Sequence, residues 1–447
     1  MISEFHTVPP QWKQHGTVLY QRYGNPKPSD KLAIFDMDST LMLTPSTIVG
    51  ELVKGNRPWV NKPAVPNDFI IYNPNVREIL LEEIENGKAI VVCSNQSQLF
   101  DKPAVTNLIF ARIQLLLEKL DIPLYIILAF KRDLCRKPCR GMLDFYENHL
   151  NGAIKVNRKD SFYVGDAAGR RWTKELLDAN CERVLALLKA EDFSDRAYMH
   201  KDGTKYERSD ANAIIANTKA SAIRSKFEVD FSDCDHKFAL NNGLQYYTPE
   251  DYFAKLPRME LTVTFDPKNI GTNPATIDIS DGMVILVGPP AGGKTFLCEH
   301  YLKSFTRISD DDLKSHDACL KLAYRHLQSK ASIVIDNTNT TVKDREELIA
   351  ISRKFGVKCT ILFLDVSMDF ALHFHRYRKV RIKCTLKFNS LKIMKIAGKC
   401  VVPQDTIHRY FKLLEPPTES EGFDQVITLT DDTFPVKHTD ITQLHLP

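Results

Sequence analysis

Short runs of apolar residues that end in polar clusters recur along the chain, and stretches with helical periodicity separate them. KLAIFDMDST, AIVVCSNQ and DSFYVGDAAG form a first series, and MVILVGPPAGGKT, ASIVIDNTNT and KCTILFLDVS form a second. Continuous rather than alternating apolar strands are typical of parallel sheets that are covered on both faces. Strands that alternate with helices predict two doubly wound α/β domains. In such folds ligands bind beyond the carboxyl ends of the strands, where these polar clusters lie.

The change from the first series to the second predicts two domains, at residues 1–258 and 281–447, joined by a linker at 259–280. A chain of 447 residues is long enough for two or three domains with separate cores. The linker contains FDPKNIGTNPATIDIS, which is rich in Pro, Asn, Gly and Thr. Residues 171–229 form an insertion whose start, TKELLDANCERVLALLKAEDF, has helical periodicity, whereas HKDGTKYERSDANAIIANTKASAIRS is polar. We expect an exposed insertion or a partly disordered loop there.

Composition narrows the class of protein but not its activity. The hydrophobic fraction is 43%, the charged fraction is 26%, and the net charge is +4, which is too small a basic excess to define a partner. Among the ten cysteines, Cys135 and Cys139 have no second pair at zinc-site spacing, so we expect reduced thiols. No apolar run reaches the roughly 20 residues that span a bilayer. The start, MISEFHTVPPQWKQHG, has no apolar core typical of a signal peptide, so we expect an intracellular protein without a membrane segment.

Two aspartates follow the first buried strand. Asp36 and Asp38 lie in FDMDST, directly after LAIF. Two carboxylates one residue apart can bind one cation, or one of them can attack phosphorus while the other transfers protons. Magnesium would offset the repulsion between a carboxylate and a phosphate. The pair alone is weak evidence, because surface loops often contain Asp-x-Asp.

Three more polar clusters complete a pattern. Ser94 and Asn95 follow AIVVC and can donate hydrogen bonds to phosphate oxygens. Lys137, in CRKP, can neutralise the charge of a pentavalent phosphorus. Asp166, in YVGDAAGR, follows another strand and suits a magnesium site. We therefore expect Ser94 and Lys137 to take part in catalysis beside the two aspartates.

The ordered motifs FDMDST, SNQ, RKP and VGDAAGR resemble the four motifs of the haloacid dehalogenase superfamily. The resemblance implies a Rossmann-like phosphatase domain in which Asp36 is the nucleophile and Asp38 the general acid and base. It also implies that Asp36, Asp38 through its carbonyl, and Asp166 bind Mg²⁺. The family motif usually reads Asp-x-Asp-Gly-Thr, and Ser39 replaces the glycine here. A serine costs more than a glycine if the turn needs a positive φ.

A second phosphate site is indicated by GPPAGGKT, which follows the strand MVILV and matches G-x-x-x-x-G-K-[ST]. The glycines let backbone N–H groups face phosphates, and the helix that follows adds its positive end. Lys294 would reach the β- and γ-phosphates, and Thr295 would hold Mg²⁺. This predicts a P-loop NTPase-like domain that uses ATP as phosphoryl donor. The cofactor-binding residues that we expect are Gly288, Pro289, Pro290, Ala291, Gly292, Gly293, Lys294, Thr295 and Asp336.

Further polar residues follow the P-loop in the sequence. Asp336 ends the strand SIVID and suits the place of the second acidic residue near magnesium, although an ordinary turn fits equally. One of the three aspartates of ISDDDL is a candidate base for the proton of an attacking hydroxyl. HFHRYRK offers Arg376 and Arg378 on a predicted helix, where arginine can clamp a transferring phosphoryl group. A solvated acidic run and a solvated basic face are the simpler alternatives.

The whole chain resembles the polynucleotide kinase 3′-phosphatases of animals over about 12–170 and 231–423. Beyond the motifs above, the likeness includes CRKPCRGM, FALNNGLQYYTPEDYF and VIDNTNT. It implies a bifunctional DNA end-processing enzyme of strand-break repair, which removes 3′-phosphates through an aspartyl-phosphate and adds 5′-phosphates with ATP. It also implies that Asp311 is the kinase base and Arg376 the lid arginine. Because Asp310 stands where an arginine often precedes that base, the choice among the three aspartates stays open.

The same resemblance bears on partners and location. Vertebrate members begin with a forkhead-associated domain, and because only about 30 residues precede the first motif, we expect that this domain is absent. The implied partners are DNA strand-break termini, with repair proteins met by another route, and we expect a monomer. The implied location is the nucleus, with the mitochondrion or cytoplasm as alternatives. A kinase and phosphatase for RNA ends or for a small metabolite is the competing function, and a scaffold with degenerate sites is disfavoured by the complete motifs.

Two features bear on nucleic-acid binding. KVRIKCTLKFNSLKIMK, at Lys379–Lys395, interleaves basic and apolar residues, as a surface that neutralises backbone phosphates would, although a basic surface helix fits equally well. Phe130 and Tyr163 are candidates for stacking on a terminal base, but packing in the core is the simpler interpretation.

Overall fold

The computed structural model describes residues 8–49, 66–99, 103–193, 208–261, 263, 265–385, 402–436 and 445–446. It divides into a first unit within residues 1–262 and a second unit within residues 263–446. No helix in the described part of the chain is both long enough and apolar enough to cross a bilayer.

The first unit is built on a seven-stranded sheet. Its strands are β1 (Lys13–His15), β2 (Val18–Tyr23), β3 (Leu32–Phe35), β6 (Ala89–Asn95), β7 (Leu124–Ala129), β8 (Phe162–Val164) and β9 (Gln245–Tyr247), and β4 (Met42–Leu43) and β5 (Ile70–Ile71) form a separate pair. The order in the large sheet is β1-β2-β7-β6-β3-β8-β9, with β3 at the centre of the site-bearing strands. The five strands from β7 to β9 pair in parallel, which confirms the predicted α/β class. The edge hairpin β1–β2 is antiparallel and was not predicted.

Helices cover both faces of this sheet, and each face has its own apolar core. The helices are α1 (Pro45–Val49), α2 (Val76–Glu85), α3 (Pro103–Leu120), α4 (Gly141–His149), α5 (Lys174–Ala190), α6 (Arg208–Asn217), α7 (Ala220–Ile223), α8 (Cys234–Asn242) and α9 (Pro249–Tyr252). The side chains of β3 alternate between the two cores, with Ala33 and Phe35 on one face and Leu32 and Ile34 on the other. All four are buried, as the continuous apolar run predicts.

The described residues of the insertion at 171–229 form helices that pack on the core, so these residues are not the exposed loop that we expected. The helix predicted from its periodicity exists as α5, and Thr173 caps its N-terminus by accepting a hydrogen bond from the N–H of Leu176. Val184 and Leu188 on α5 are fully buried in the same core as Phe35. The polar second half also contributes, through buried apolar side chains on α6 and α7 (Ile215 and Ile223). Residues 194–207 lie outside the described residues.

The second unit is built on a five-stranded, all-parallel sheet in the order β11-β12-β10-β13-β14. Its strands are β10 (Met283–Val287), β11 (Thr306–Ile308), β12 (Ile333–Ile335), β13 (Cys359–Leu364) and β14 (Gln425–Leu429). Its helices are α10 (Lys294–Tyr301), α11 (Asp310–Leu313), α12 (His316–Gln328), α13 (Val342–Phe355), α14 (Met368–Thr385) and α15 (Gln404–Leu413). Apolar cores lie on both faces, so the prediction of a second doubly wound domain is also confirmed.

Much of the segment predicted as a linker packs on the second unit. Ile270 is fully buried in its core, and Ala275, Ile277 and Ile279 pack against that core. The backbone N–H groups of 271, 273 and 275 donate to the carbonyls of 431, 432 and 433. The composition of this stretch indicated an irregular segment but not the surface on which it lies.

Two candidate active sites at strand ends

In the first unit, Lys137 lies between two buried carboxylates. Its Nζ is 2.6 Å from Asp36 Oδ1 and 2.7 Å from Asp235 Oδ1. Nζ also donates to the hydroxyl of Tyr163 at 2.8 Å, and that hydroxyl donates to Asp235 Oδ1 at 2.8 Å. Lys137 is only 2% exposed, so its charge is balanced by these partners rather than by solvent.

This arrangement shifts the pKa values of both partners. Burial raises the pKa of Asp36 to about 7, against the opposing effect of Lys137, and Asp235 and Asp38 add to the rise. Burial alone would lower the pKa of Lys137, but Asp235 and Asp36 outweigh it and hold that pKa above its ordinary value. Lys137 therefore stays charged and faces the carboxylate that sequence analysis predicted as the nucleophile.

Hydrogen bonds from the Asn95 side chain to the backbone of Lys137 hold these groups at the ends of adjacent strands. Asp36 directly follows β3, and Asn95 is the last residue of β6. The Asn95 side chain accepts from the N–H of Lys137 at 2.9 Å and donates to its carbonyl at 3.2 Å. The residue order predicted a convergence of the two motifs, and this clamp is how the loop that carries Lys137 is held against β6.

Three carboxylates gather beside the lysine. Asp36, Asp166 and Asp235 each offer an oxygen within 4.8 Å of the others. Burial raises the pKa of Asp166 well above its ordinary value, and Asp235 and Asp36 raise it further. Asp235 comes this close because Gly165 has no side chain, since a Cβ there would lie 2.6 Å from the Asp235 carboxyl carbon. Such a set of hard oxygen donors suits a small divalent cation.

Asp235 was missed by sequence analysis, in which the resemblance implied Asp36, Asp166 and the backbone carbonyl of Asp38 as the ligands of Mg²⁺. The side chain of Asp38 lies apart from the three-carboxylate cluster. Its Oδ2 accepts from Gln96 Nε2 at 2.7 Å, and its Oδ1 lies 3.6 Å from Arg112. Nearly half of its side chain is exposed, so a substrate can reach its carboxylate.

Two further predicted positions line the same strand ends. The buried Ser94 accepts from Gln96 Nε2 at 3.0 Å, so Gln96 joins it to Asp38. Ser39 has φ of 57°, the left-handed conformation for which the family motif has glycine. Phe130 and Tyr163 are buried, in agreement with core packing rather than base stacking.

The loop that follows β8 is joined to residues 230–236 by a ladder of hydrogen bonds. The N–H groups of Ala168 and Arg170 donate to Asp230 Oδ2, the N–H of Gly169 donates to the carbonyl of 232, and the N–H of Ala167 donates to Asp235 Oδ2. The buried Arg170 guanidinium pairs with Asp230 and with Glu250 at 2.7–2.8 Å. These hydrogen bonds bring Asp235, which follows the insertion in the sequence, close to Asp36 and Asp166, which precede it.

In the second unit, the P-loop joins β10 to α10. Gly293 has φ of +96°, and a Cβ there would lie 2.5 Å from the ring of Phe434, so both the conformation and the space require glycine. Lys294 Nζ donates to the carbonyls of Gly288 at 3.0 Å and Pro289 at 2.8 Å. The lysine thus folds over the loop whose N–H groups the sequence analysis assigned to phosphates.

Asp336 connects the P-loop to the acidic helix α11. Its Oδ2 accepts from Thr295 Oγ1 at 2.9 Å and from Arg307 Nε at 2.6 Å. The same arginine donates to Asp312 Oδ2 at 2.7 Å through Nη1. Arg307 was not predicted, because nothing in the sequence places the edge strand β11 beside β12, whose last residue precedes Asp336.

The pKa of Lys294 reflects the charged groups that lie near the P-loop. Burial lowers the pKa of Lys294 to about 8; Asp336 and Asp311 raise it, and Arg378 lowers it further. Asp311 is therefore one of the charges close to the P-loop, whereas Asp312 is paired with Arg307. Arg378, two residues after Arg376 on α14, is an arginine whose charge acts on Lys294. The side chains of the predicted basic segment from residue 379 to 395 lie outside the described residues.

Known proteins match both units in the same order. The family model of polynucleotide kinase 3 phosphatase matches residues 31–253, and that of an AAA domain matches residues 283–381. A bifunctional polynucleotide phosphatase/kinase of Schizosaccharomyces pombe is 26% identical over 431 residues, or 93% of this chain and 83% of that protein. A relative in Acanthamoeba polyphaga mimivirus is 24% identical over 430 residues, or 90% of this chain and 84% of that protein.

Among solved structures, a HAD-like phosphatase from Mesorhizobium loti is 18% identical, with a TM-score of 0.28, over 48% of this chain and 97% of its own. The two family models follow the division into a carboxylate-and-lysine site and a P-loop site. The chain therefore belongs to the polynucleotide kinase 3 phosphatase family through its first domain, and it joins this phosphatase domain to a kinase-type P-loop domain.

Proposed function

We propose that the chain restores ligatable DNA ends, by removing 3′-phosphates at the first site and phosphorylating 5′-hydroxyls with ATP at the second. The observation that carries the proposal is the presence of two complete phosphate sites in one chain. A relative named for both activities on polynucleotides aligns with 93% of it. Ligation needs a 5′-phosphate and a 3′-hydroxyl, so both activities are useful at the same strand break.

At the first site, the proposed nucleophile is Asp36. Its carboxylate oxygen attacks phosphorus, the bond from phosphorus to the 3′-oxygen breaks, and the departing oxygen takes a proton from Asp38. The product is an aspartyl-phosphate on Asp36. Asp38 then takes a proton from water, whose oxygen attacks phosphorus and releases inorganic phosphate and free Asp36. Gln96, bonded to both Asp38 and Ser94, orients the acid and base.

Lys137 and the carboxylate cluster supply the electrostatics of this step. The Lys137 ammonium, 2.6 Å from Asp36, offsets charge that develops on the phosphoryl oxygens. Asp36 and Asp166, with Asp235 beside them, are the residues that would hold Mg²⁺, and their oxygens fit its preference for hard donors. Bound there, the ion supplies positive charge that lets an anionic carboxylate approach an anionic phosphate.

At the second site, the P-loop backbone and Lys294 would hold the phosphates of ATP, and Thr295 with Asp336 would hold Mg²⁺. Asp311 is the proposed base by resemblance to the family, and its charge is one of those that act on Lys294. It takes the proton of the 5′-hydroxyl as that oxygen attacks the γ-phosphorus and ADP departs. An arginine of α14 clamps the transferring group; sequence resemblance favours Arg376, and the pKa of Lys294 favours Arg378.

The test is one incubation with ATP, Mg²⁺ and an oligonucleotide that has a 5′-hydroxyl and a 3′-phosphate. We expect loss of the 3′-phosphate and gain of a 5′-phosphate, resolved by electrophoresis and mass spectrometry. Matched DNA and RNA strands of one sequence separate the two polynucleotide substrates. No change at either end of either strand, together with turnover of a small phosphomonoester, would favour the metabolite enzyme instead.

On the same proposal the protein acts in strand-break repair as a nuclear monomer. Cell fractionation and microscopy of a tagged full chain test the location, and light scattering of the purified protein tests the monomer.

A further inference from the structure

Phe231 is the most exposed large apolar side chain in the described part of the molecule. Its side chain is 100% exposed, and the next, Val229 in the same segment, is 58% exposed. A phenylalanine that is fully exposed contributes no burial to the stability of the fold. The packing of the described residues therefore gives no reason for an aromatic ring at this position.

The backbone around Phe231 is nevertheless held on both sides. Asp230 accepts hydrogen bonds from two backbone N–H groups and from the Arg170 guanidinium, and its own N–H donates to the carbonyl of residue 170. The carbonyl of Ser232 accepts from the N–H of Gly169. The ring is thus presented to solvent from a fixed backbone, which limits the entropy lost when a ligand packs against it.

The segment that carries this ring is hydrogen-bonded to a loop of the phosphatase site. Phe231 precedes Asp235 of the carboxylate cluster by four residues, which limits the separation of their Cα atoms to about 14 Å. The ladder of hydrogen bonds holds the same segment against the loop of Asp166. A strand whose 3′-phosphate reaches the cluster has its last few nucleotides within that distance.

Positive charge accompanies the ring. Burial lowers the pKa of Arg136; Cys234 raises it, and Arg132 lowers it further, so Arg136 lies near Cys234, three residues after Phe231, and Arg132 lies near Arg136. Arg136 directly precedes Lys137 in the sequence, and its Nη1 is buried without a hydrogen-bond partner. Proteins bind single-stranded nucleic acid by combining aromatic rings that stack on bases with basic residues that neutralise the backbone, and the segment that carries Phe231 has an arginine near one end.

We propose that Phe231 is a stacking platform for a nucleobase near the 3′ end of the strand whose phosphate enters the first site. The proposal rests on the proposed polynucleotide function and names how the substrate is held. Stacking on any base explains why a fully exposed ring is adequate, since every base offers a flat face. Phe231 binds the strand and takes no part in the chemistry.

The test compares F231A, F231W and V229A as full chains, with V229A as the matched control from the same exposed segment. For F231A we expect KM for a 3′-phosphorylated oligonucleotide to rise about 5- to 150-fold, the range for losing one stacked base. The kcat value and the melting temperature stay unchanged. F231W, which keeps a flat ring, and V229A stay close to the parent.

A second readout follows the stack directly. In the D36N background, which stops turnover, an oligonucleotide with 2-aminopurine near its 3′ end loses fluorescence on binding if Phe231 stacks on that base. F231A in the same background abolishes this quenching. An unchanged KM and unchanged quenching in F231A would overturn the proposal, as would a loss confined to kcat. A parent protein that leaves the oligonucleotide 3′-phosphate intact would instead overturn the proposed function.

Discussion

Lys137 and Lys294 each lie in one of the two candidate active sites, but their partners differ. Lys137 is fixed between two carboxylates at 2.6 and 2.7 Å, which hold its pKa above the ordinary value. Lys294 donates to two carbonyls of its own loop, and burial lowers its pKa to about 8. The first lysine belongs to a charge-balanced cluster that is built into the fold. The second donates its hydrogen bonds to neutral carbonyls. The anionic phosphates of a nucleotide would attract its ammonium group more strongly than these carbonyls do.

The largest expected effect separates the two sites. D36N removes the proposed nucleophile and should lower phosphatase activity by at least about 10³-fold, with kinase activity unchanged. K294A should do the reverse, because it removes the charge that would bind the β- and γ-phosphates. D144N, at an exposed aspartate, is the control. Loss of both activities from either variant in a folded protein would contradict the independence of the sites.

The comparison of the lysines also predicts different costs in stability. K137A leaves Asp36 and Asp235 buried without their counter-charge, and removal of one partner of such a group typically costs about 3–5 kcal/mol of unfolding free energy. K294A loses hydrogen bonds to two carbonyls, while Asp336 keeps its hydrogen bonds to Thr295 and Arg307, so the expected cost is only about 1 kcal/mol. Denaturant unfolding, with a fluorescence probe for each domain, measures both. Equal costs would mean that the carboxylates around Lys137 find other compensation.

A third effect concerns the insertion, which we now expect to be structural. L188A on α5 removes a fully buried side chain from the core of the phosphatase domain and should cost about 2–5 kcal/mol. K189A, at the exposed neighbour, should cost little. Deletion of residues 172–225 should abolish phosphatase activity and leave kinase activity. A deletion variant that kept both activities would restore the interpretation of the insertion as a passive loop.

The sequence predicted the groups that lie in local motifs and missed those that depend on topology. FDMDST and GPPAGGKT each combine a buried strand with its own polar turn, so Asp36 and Lys294 were found without knowledge of the fold. Asp235 reaches its place only through pairing across the insertion, and DFSDCDH has no marked pattern. Where the structure describes its side chains, the second half of the insertion buries few apolar residues among many polar ones, so its periodicity was too weak to predict a core contribution.

A smaller effect distinguishes two arginines of α14. The charge of Arg378 acts on Lys294, so R378Q should lower kcat of the kinase by about 10- to 100-fold, the loss expected for one charged group near a transferring phosphoryl. R376Q is the matched variant on the same helix. A larger loss for R376Q would support the assignment from sequence resemblance. Steady-state kinetics with saturating oligonucleotide measure both.

The smallest effect tests the protonation of Lys294 itself. Because burial lowers its pKa to about 8, the free protein at pH 8 carries this lysine about half charged. Phosphates of ATP favour the charged form and raise the pKa, so binding at pH 8 should take up a fraction of a proton, and binding at pH 6 none from this group. Calorimetry in buffers of different ionisation enthalpy measures the uptake, and K268Q, at an exposed lysine, is the control. The carboxylate-bound Lys137 is charged throughout this range, so phosphate binding at the first site should draw no proton onto its lysine. Equal protonation of the P-loop lysine with and without ATP at pH 8 would show that carbonyl partners alone are enough to keep it charged.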